Sequence, residues 1–225
     1  MTTCEGRLWF KNNLSDIQKM LYASWSPAKL RIIRAWASWR MMLNAPTTLR
    51  IRKLASKVTI ILGGAASGKS AFAEQACVKT GKSRVYWATS QIFDSEMQEK
   101  VARHVDQRGA GWTTIEEPYE AKTALGAAQS QDVLLMDCAT MWLTNHLLAE
   151  NDLEKETRVL LEAIKDCPAE VVIVTNETGL GIVPENALAR RFREAQGRLN
   201  IALAAAADTV VLVAAGLPMT LKGTT

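Results

Sequence analysis

Paired cysteines are missing from this chain: Cys4, Cys77, Cys138 and Cys167 stand apart, with no CxxC among them. Their scatter argues against a disulfide framework or a cysteine-built zinc site and for a reduced, cytoplasmic setting. Long apolar runs are missing as well. No window approaches the ~18 uninterrupted apolar residues of a membrane-spanning helix. The N-terminus lacks the short apolar core and small-residue cleavage site of a secretory signal. Histidine is scarce, with His104 and His146 the only two, so any imidazole chemistry must fall to one of them.

What is present suits one α/β domain with a short addition. The chain has 225 residues, 48% hydrophobic and 22% charged, ordinary values for a protein with a real core. Its net charge of +4 is unevenly spread. Residues 1–57 hold 11 Lys/Arg against two acids, a balance of +9, which leaves 16 basic and 21 acidic residues, or −5, for 58–225. The basic character belongs to the N-terminal segment, so the main domain is not expected to bind nucleic acid.

Residues 1–56 differ in style from the remainder. Four of the seven tryptophans (Trp9, Trp25, Trp36 and Trp39) lie there, with many arginines and the breakers Pro27 and Pro46. From Pro27 to Leu43 an amphipathic basic helix could rest on an anionic membrane or a partner. The plainer expectation is a poorly ordered extension, or upstream sequence read from an over-long start with Met41 or Met42 as initiator. The domain proper is expected over 57–225.

From Lys57 onward, short apolar runs alternate with helical patterns. Strands are expected at Val58–Leu62, Val85–Ala88, Val133–Met136, Val171–Val174 and Thr209–Val213. Helices are expected at Ser70–Lys79, Asp94–Asp106, Met141–Leu148, Leu153–Lys165 and Glu185–Ala206. Strands without in/out alternation are covered on both faces, and interleaved helices then call for a mainly parallel, doubly wound sheet. Ligands of such sheets sit at the carboxyl ends of the strands. Gly63–Gly68, Thr89–Ser90, Asp137 and Asn176–Glu177 all fall there.

Gly63-Gly64-Ala65-Ala66-Ser67-Gly68-Lys69-Ser70 matches the phosphate-binding pattern GxxxxGK[ST] in full. Glycines let successive backbone N–H groups face a phosphate, and the following helix points its positive end at the same anion. Lys69 is expected on the β and γ oxygens of ATP or GTP, and the Ser70 hydroxyl on Mg²⁺. Asp137 closes the run Val133–Met136 and is the candidate carboxylate for that metal; capping the next helix is its other possible role.

His104 admits two readings. A neutral imidazole attacks phosphorus well and gives a labile phosphoramidate, and Lys100, Arg103 and Arg108 stand nearby as phosphate-binding cations. It also follows Met97 by seven residues and Val101 by three, so it could share a buried helix face with them. His146 reads as structural. Asn176 and Glu177 either position substrate or satisfy strand-end backbone groups. The alanine run 204–207 is a packing feature.

The stretch Val58–Ser70 and Ala88-Thr89-Ser90-Gln91 strongly resemble the adenosylcobinamide kinase/adenosylcobinamide-phosphate guanylyltransferase family of cobalamin synthesis. So do the spacing His104, Arg108, Trp112, Thr114, Glu116, Pro118, the pairs Asp137-Cys138 and Thr144-Asn145, and the long match Val174–Asn186. Arg190, Phe192, Arg193, Gly197 and Asn200 continue it, so the resemblance spans roughly 57–217. It implies a RecA-like P-loop NTPase fold, a homotrimer, and His104 as the guanylylated nucleophile. Guanine-nucleotide contacts are implied at Ala88, Thr89, Ser90, Val105, Asp106, Gln107, Arg108, Glu116 and Asp137. Adenosylcobinamide and adenosylcobinamide phosphate would be the substrates of successive phosphorylation by ATP or GTP and GMP transfer from GTP. Ala66, Val105 and Gly109 depart from the family pattern, where an arginine, a basic residue and a proline are common. The competing readings are a plain P-loop small-molecule kinase in which His104 only packs, and a non-enzymatic nucleotide-dependent binding module.

Overall fold

The computed structural model describes residues 57–91 and 108–224. The N-terminal segment 1–56, the helix expected at 94–106 and, with it, His104, Val105, Asp106 and Gln107 lie outside the described residues. Seven strands form one sheet: β1 (Val58–Gly63), β2 (Ser83–Ala88), β3 (Trp112–Glu116), β4 (Asp132–Asp137), β5 (Glu170–Asn176), β6 (Thr209–Ala214) and β7 (Leu217–Lys222). Between them run α1 (Lys69–Lys79), α2 (Ala121–Gly126), α3 (Ala139–Leu148), α4 (Leu153–Asp166) and α5 (Ala187–Ala206).

The strand order is β3-β2-β4-β5-β1-β6-β7. All neighbours are parallel except the antiparallel hairpin β6–β7. The mainly parallel α/β sheet expected from the sequence is therefore present, with one antiparallel edge. β1 occupies an interior place between β5 and β6, so its successive side chains enter two cores. Val58, Ile60 and Leu62 pack with Leu160, Ile164, Leu199 and Leu203 of α4 and α5, whereas Ile61 joins Ala73 and Cys77 of α1. Burial of such branched side chains contributes about 1.5–3 kcal/mol each, which is why a strand this apolar belongs inside the sheet.

Local chemistry sets the helix ends. The Asp152 carboxylate accepts from the Glu154 and Lys155 amides at 3.1 and 3.0 Å and starts α4. Asn186 does the same for α5 through the Ala189 amide at 3.0 Å, so that helix begins at Ala187, two residues after the expected Glu185. One face of α5 buries Ala195, Gln196, Leu199, Asn200 and Leu203, and its two amides point at the end of β5. Among the described residues, no helix is long and apolar enough to cross a membrane.

Candidate nucleotide site

β1 delivers the phosphate loop from the middle of the sheet. Gly63 pairs in register with Asn176 of β5 and Val213 of β6. An added Cβ there would lie 2.3 Å from Ser67 Oγ and 2.7 Å from the Val213 carbonyl oxygen, so only glycine fits. The loop then turns, with the Ser67 amide donating to the Gly64 carbonyl at 3.4 Å. Gly68 sits in the left-handed region at φ 91° before α1 begins. From the opposite side, the hairpin joining β6 to β7 closes the loop: the Gly216 amide donates to the Ser67 carbonyl at 2.9 Å.

This cradle has the electrostatics of an anion site. No acidic residue occupies the first turn of α1, so its positive end is uncompensated. Lys69 folds back, Nζ donating to the Gly64 carbonyl at 3.1 Å. Ser67 Oγ is buried without a hydrogen-bond partner, a costly state that a phosphate oxygen would relieve. Gly63, Gly64, Ala65, Ala66, Ser67, Gly68, Lys69 and Ser70 thus form one continuous turn between β1 and the start of α1. Ser70 in α1 and Asp137 at the end of β4 supply hard oxygen donors, the chemistry Mg²⁺ takes when most of its shell is water and phosphate.

A second wall stands at the ends of β2, β3 and β4. Ala88 pairs in register with Glu116 on one side and Asp137 on the other. The Tyr86 hydroxyl donates to Asp137 Oδ2 at 3.0 Å. Burial above all, reinforced by the Asp137 charge, raises the phenol's pKa, so it remains a proton donor. Arg108 lays its guanidinium over the same ring, Cζ 3.7 Å from the centroid, and donates to Thr114 Oγ1 at 3.1 Å. Trp112 meets Tyr86 edge-on at 6.1 Å between centroids. A cation, a phenol and a carboxylate are thereby linked in one row.

Thr89 is fully buried and spends its hydroxyl between strands. Its Oγ1 donates to the Cys138 carbonyl at 2.8 Å and accepts from the Cys138 amide at 2.9 Å. Asn145 of α3 donates to the Thr89 carbonyl at 2.8 Å and to the Pro118 carbonyl at 3.0 Å. These bonds fix the height at which Ser90, half-buried, leaves the sheet. At the end of β5, the Asn176 amide donates to Thr140 Oγ1 at 2.8 Å, and Asn200 Nδ2 donates to the Asn176 carbonyl at 3.0 Å. Gln196 donates to Thr175 Oγ1 and to Asn200 Oδ1, both at 2.9 Å. The Glu177 amide donates to the Gly63 carbonyl at 3.1 Å, which ties the loop after β5 to the first glycine of the cradle.

Tyr86, Thr140 and Gln196 escaped the sequence reading. Tyr86 lies two residues before Ala88, on the same face of the strand, and that period-2 placement was the available signal. His146 is buried at α3, with Nε2 3.3 Å from the Tyr119 carbonyl and Nδ1 2.9 Å from Asn151 Nδ2. Burial lowers its pKa, and packing against Tyr119 and Trp142 gives it the structural role expected of it.

Comparison with known proteins agrees with this geometry. Residues 59–221 match the family described as cobinamide kinase / cobinamide phosphate guanyltransferase. The bifunctional adenosylcobalamin biosynthesis protein CobP of Pseudomonas aeruginosa is 44% identical over 167 residues, covering 73% of this chain and 96% of that protein. CobU of Salmonella typhimurium is 44% identical over 179 residues, covering 72% and 98%. CobU of Escherichia coli is 38% identical over 179 residues, with the same coverage. A match this long, in a chain whose phosphate cradle is fully formed, places it in the cobinamide kinase / cobinamide phosphate guanyltransferase family.

Proposed function

We propose that this protein is a bifunctional transferase of cobalamin synthesis that phosphorylates adenosylcobinamide and then guanylylates the product. The formed phosphate cradle within a family match along 59–221 carries this reading. In the kinase step, the hydroxyl oxygen of the aminopropanol arm attacks the γ-phosphorus of ATP or GTP. The bond from that phosphorus to the β-phosphate oxygen breaks, the diphosphate leaves, and the hydroxyl proton passes to solvent. The backbone amides of Gly64–Gly68 and the Lys69 ammonium hold the phosphate oxygens and offset the charge that moves onto the leaving group. Ser70 and Asp137 would hold Mg²⁺, which neutralises the triphosphate. Tyr86 orients the Asp137 carboxylate for that task.

In the second step, a nitrogen of neutral His104 forms a bond to the α-phosphorus of GTP and pyrophosphate departs. A phosphate oxygen of adenosylcobinamide phosphate then attacks the same phosphorus. The P–N bond breaks and adenosylcobinamide-GDP is released. Arg108 is the cation assigned to the triphosphate in this step. Ala88, Thr89, Ser90, Val105, Asp106, Gln107 and Glu116 are assigned to the guanine nucleotide by the resemblance; Thr89, fully buried with its hydroxyl, amide and carbonyl all bonded, would serve by positioning Ser90 rather than by touching the ligand. A homotrimer is proposed on the same ground, and the exposed Leu217, Met219 and Leu221 of the edge strand β7 support a subunit contact there.

Incubation with α-labelled GTP and Mg²⁺ tests the covalent step. The expected result is a base-stable, acid-labile protein adduct that His104→Ala abolishes. An active wild-type chain that forms no adduct would leave a plain kinase.

A further inference from the structure

The activity joins a nucleotide to a corrinoid, yet the groups described so far serve only the nucleotide. A corrin is a broad macrocycle with methyl-studded faces and amide-bearing arms, so its site needs apolar surface beside the phosphate cradle. The segment 177–186, which leaves β5 at Glu177, bonded to Gly63 of the cradle, carries apolar surface of this kind. Leu180 is 88% exposed, Ile182 97% and Val183 64%. Three branched side chains held in water within four residues form an apolar tip of the kind that marks a binding surface.

The tip stands on a fixed base. Glu177 is bonded to Gly63 of the cradle, and its carboxylate accepts from the Gly179 amide at 2.5 Å. Arg193 of α5 donates to the Gly179 carbonyl, and Arg190 donates to the carbonyls of Pro184, at 3.0 Å, and Glu185. Polar groups therefore pin both ends of the segment to the sheet and to α5, whereas its apolar side chains stand exposed among the described residues. A surface loop kept for solubility alone would carry the reverse arrangement.

We infer that Leu180, Ile182 and Val183 form the platform that receives an apolar face of the corrin ring, holding the aminopropanol arm toward the cradle. The inference rests on the bifunctional transferase reading and adds the site of its larger substrate. The occupant follows from position and chemistry together: the segment that carries the tip leaves the sheet at Glu177, whose amide bonds Gly63 of the phosphate loop, and the family's acceptor is a macrocycle with extended apolar faces.

Leu180→Ser and Ile182→Ser in the full chain test it, with Ile182→Val as the conservative variant. Four quantities are read: affinity for adenosylcobinamide by calorimetry, KM for GTP, the adduct formed from α-labelled GTP without corrinoid, and molar mass by light scattering. Each serine variant should weaken corrinoid binding by about tenfold or more, the range expected for lost apolar contact, while Ile182→Val binds nearly as wild type. KM for GTP, adduct yield and molar mass should stay unchanged. Unaltered corrinoid affinity in both serine variants, with wild-type adduct and turnover intact, would overturn the platform and leave the transferase standing. A drop in molar mass would overturn it too, by making the tip a subunit contact. A wild-type chain with neither adduct nor phosphorylated cobinamide would remove the transferase reading and the platform with it.

Discussion

Replacing Gly63 with alanine probes whether the cradle depends on its fit within the sheet. The added methyl would meet Ser67 Oγ at 2.3 Å and the Val213 carbonyl oxygen at 2.7 Å. The serine side chain can rotate away. The carbonyl cannot, because Val213 is an interior residue of β6, paired in register with Gly63 itself. The strain must therefore open the β1–β6 pairing or push the loop outward. Overpacking of this kind costs about 1–3 kcal/mol. At roughly 2–4 °C per kcal/mol for a domain of this size, the melting temperature should fall by about 2–12 °C. A loop pushed outward should also bind GTP at least about tenfold more weakly, equivalent to ~1.4 kcal/mol.

Gly64→Ala is the internal control for stability, since no atom lies within 4 Å of a Cβ built there. Its melting temperature should stay within about 2 °C of wild type, as for other uncrowded sites. Differential scanning calorimetry and GTP titration of the two variants side by side give the comparison. If Gly63→Ala melts and binds GTP like wild type, the packing argument for the loop is wrong.

Tyr86→Phe keeps the ring beneath Arg108 but removes the donor to Asp137; it should lower stability by about 1.5–3 kcal/mol, the range for hydrogen bonds to charged groups, as read from urea denaturation. His146 carries a lowered folded pKa because burial disfavours its cation, so the unfolded chain takes up the proton first. Its contribution to stability is present above the ordinary value of about 6.5 and is lost as pH falls from there through the folded pKa; His146→Asn should flatten that slope in melts run from pH 7.5 to 5. Burial pushes the Cys77 and Cys138 thiols up to about 12, so iodoacetamide at pH 8 should leave both unmodified in the folded protein and label them in urea. Asn200→Leu would leave the Thr175 hydroxyl without its acceptor and the Asn176 carbonyl without its Asn200 donor, and take one of two partners from Gln196; a loss of about 2–3 kcal/mol is expected in the same denaturation assay.

The elements legible in the sequence are those whose burial leaves a local trace. Val58–Leu62, Val133–Met136 and Val171–Val174 are interior strands, and their unbroken apolar runs say so. β3, Trp-Thr-Thr-Ile-Glu, is an edge strand that is mostly exposed, so its pattern is that of a polar loop. β7 is exposed along its whole length and contains Pro218, which is tolerated because an edge strand can spare an amide. The six-residue α2 is too short to display a helical period. The phosphate loop was readable because its eight residues are contiguous and its glycines stand where the turn needs them. The second wall was not, since Tyr86 and Asp137 are 51 residues apart and Thr89 and Cys138 49 apart.

That contrast follows from how a parallel sheet builds a site. Each crossover brings a distant strand alongside, so the residues at adjacent strand ends are neighbours in space and strangers in sequence. A cradle made from one turn can be encoded locally, because its ligand contacts are backbone amides whose directions depend on φ and ψ alone. A carboxylate at a strand end needs its torsions held from outside, and the group that holds Asp137 comes from β2. The same logic separates the two substrates. A triphosphate is a compact anion, recognised by a short loop that a pattern of glycines reveals. A corrin would need area, and the exposed Leu180 and Ile182 proposed to supply it have no spacing pattern of their own; the segment that carries them is tied to the cradle only through Glu177 and Gly63.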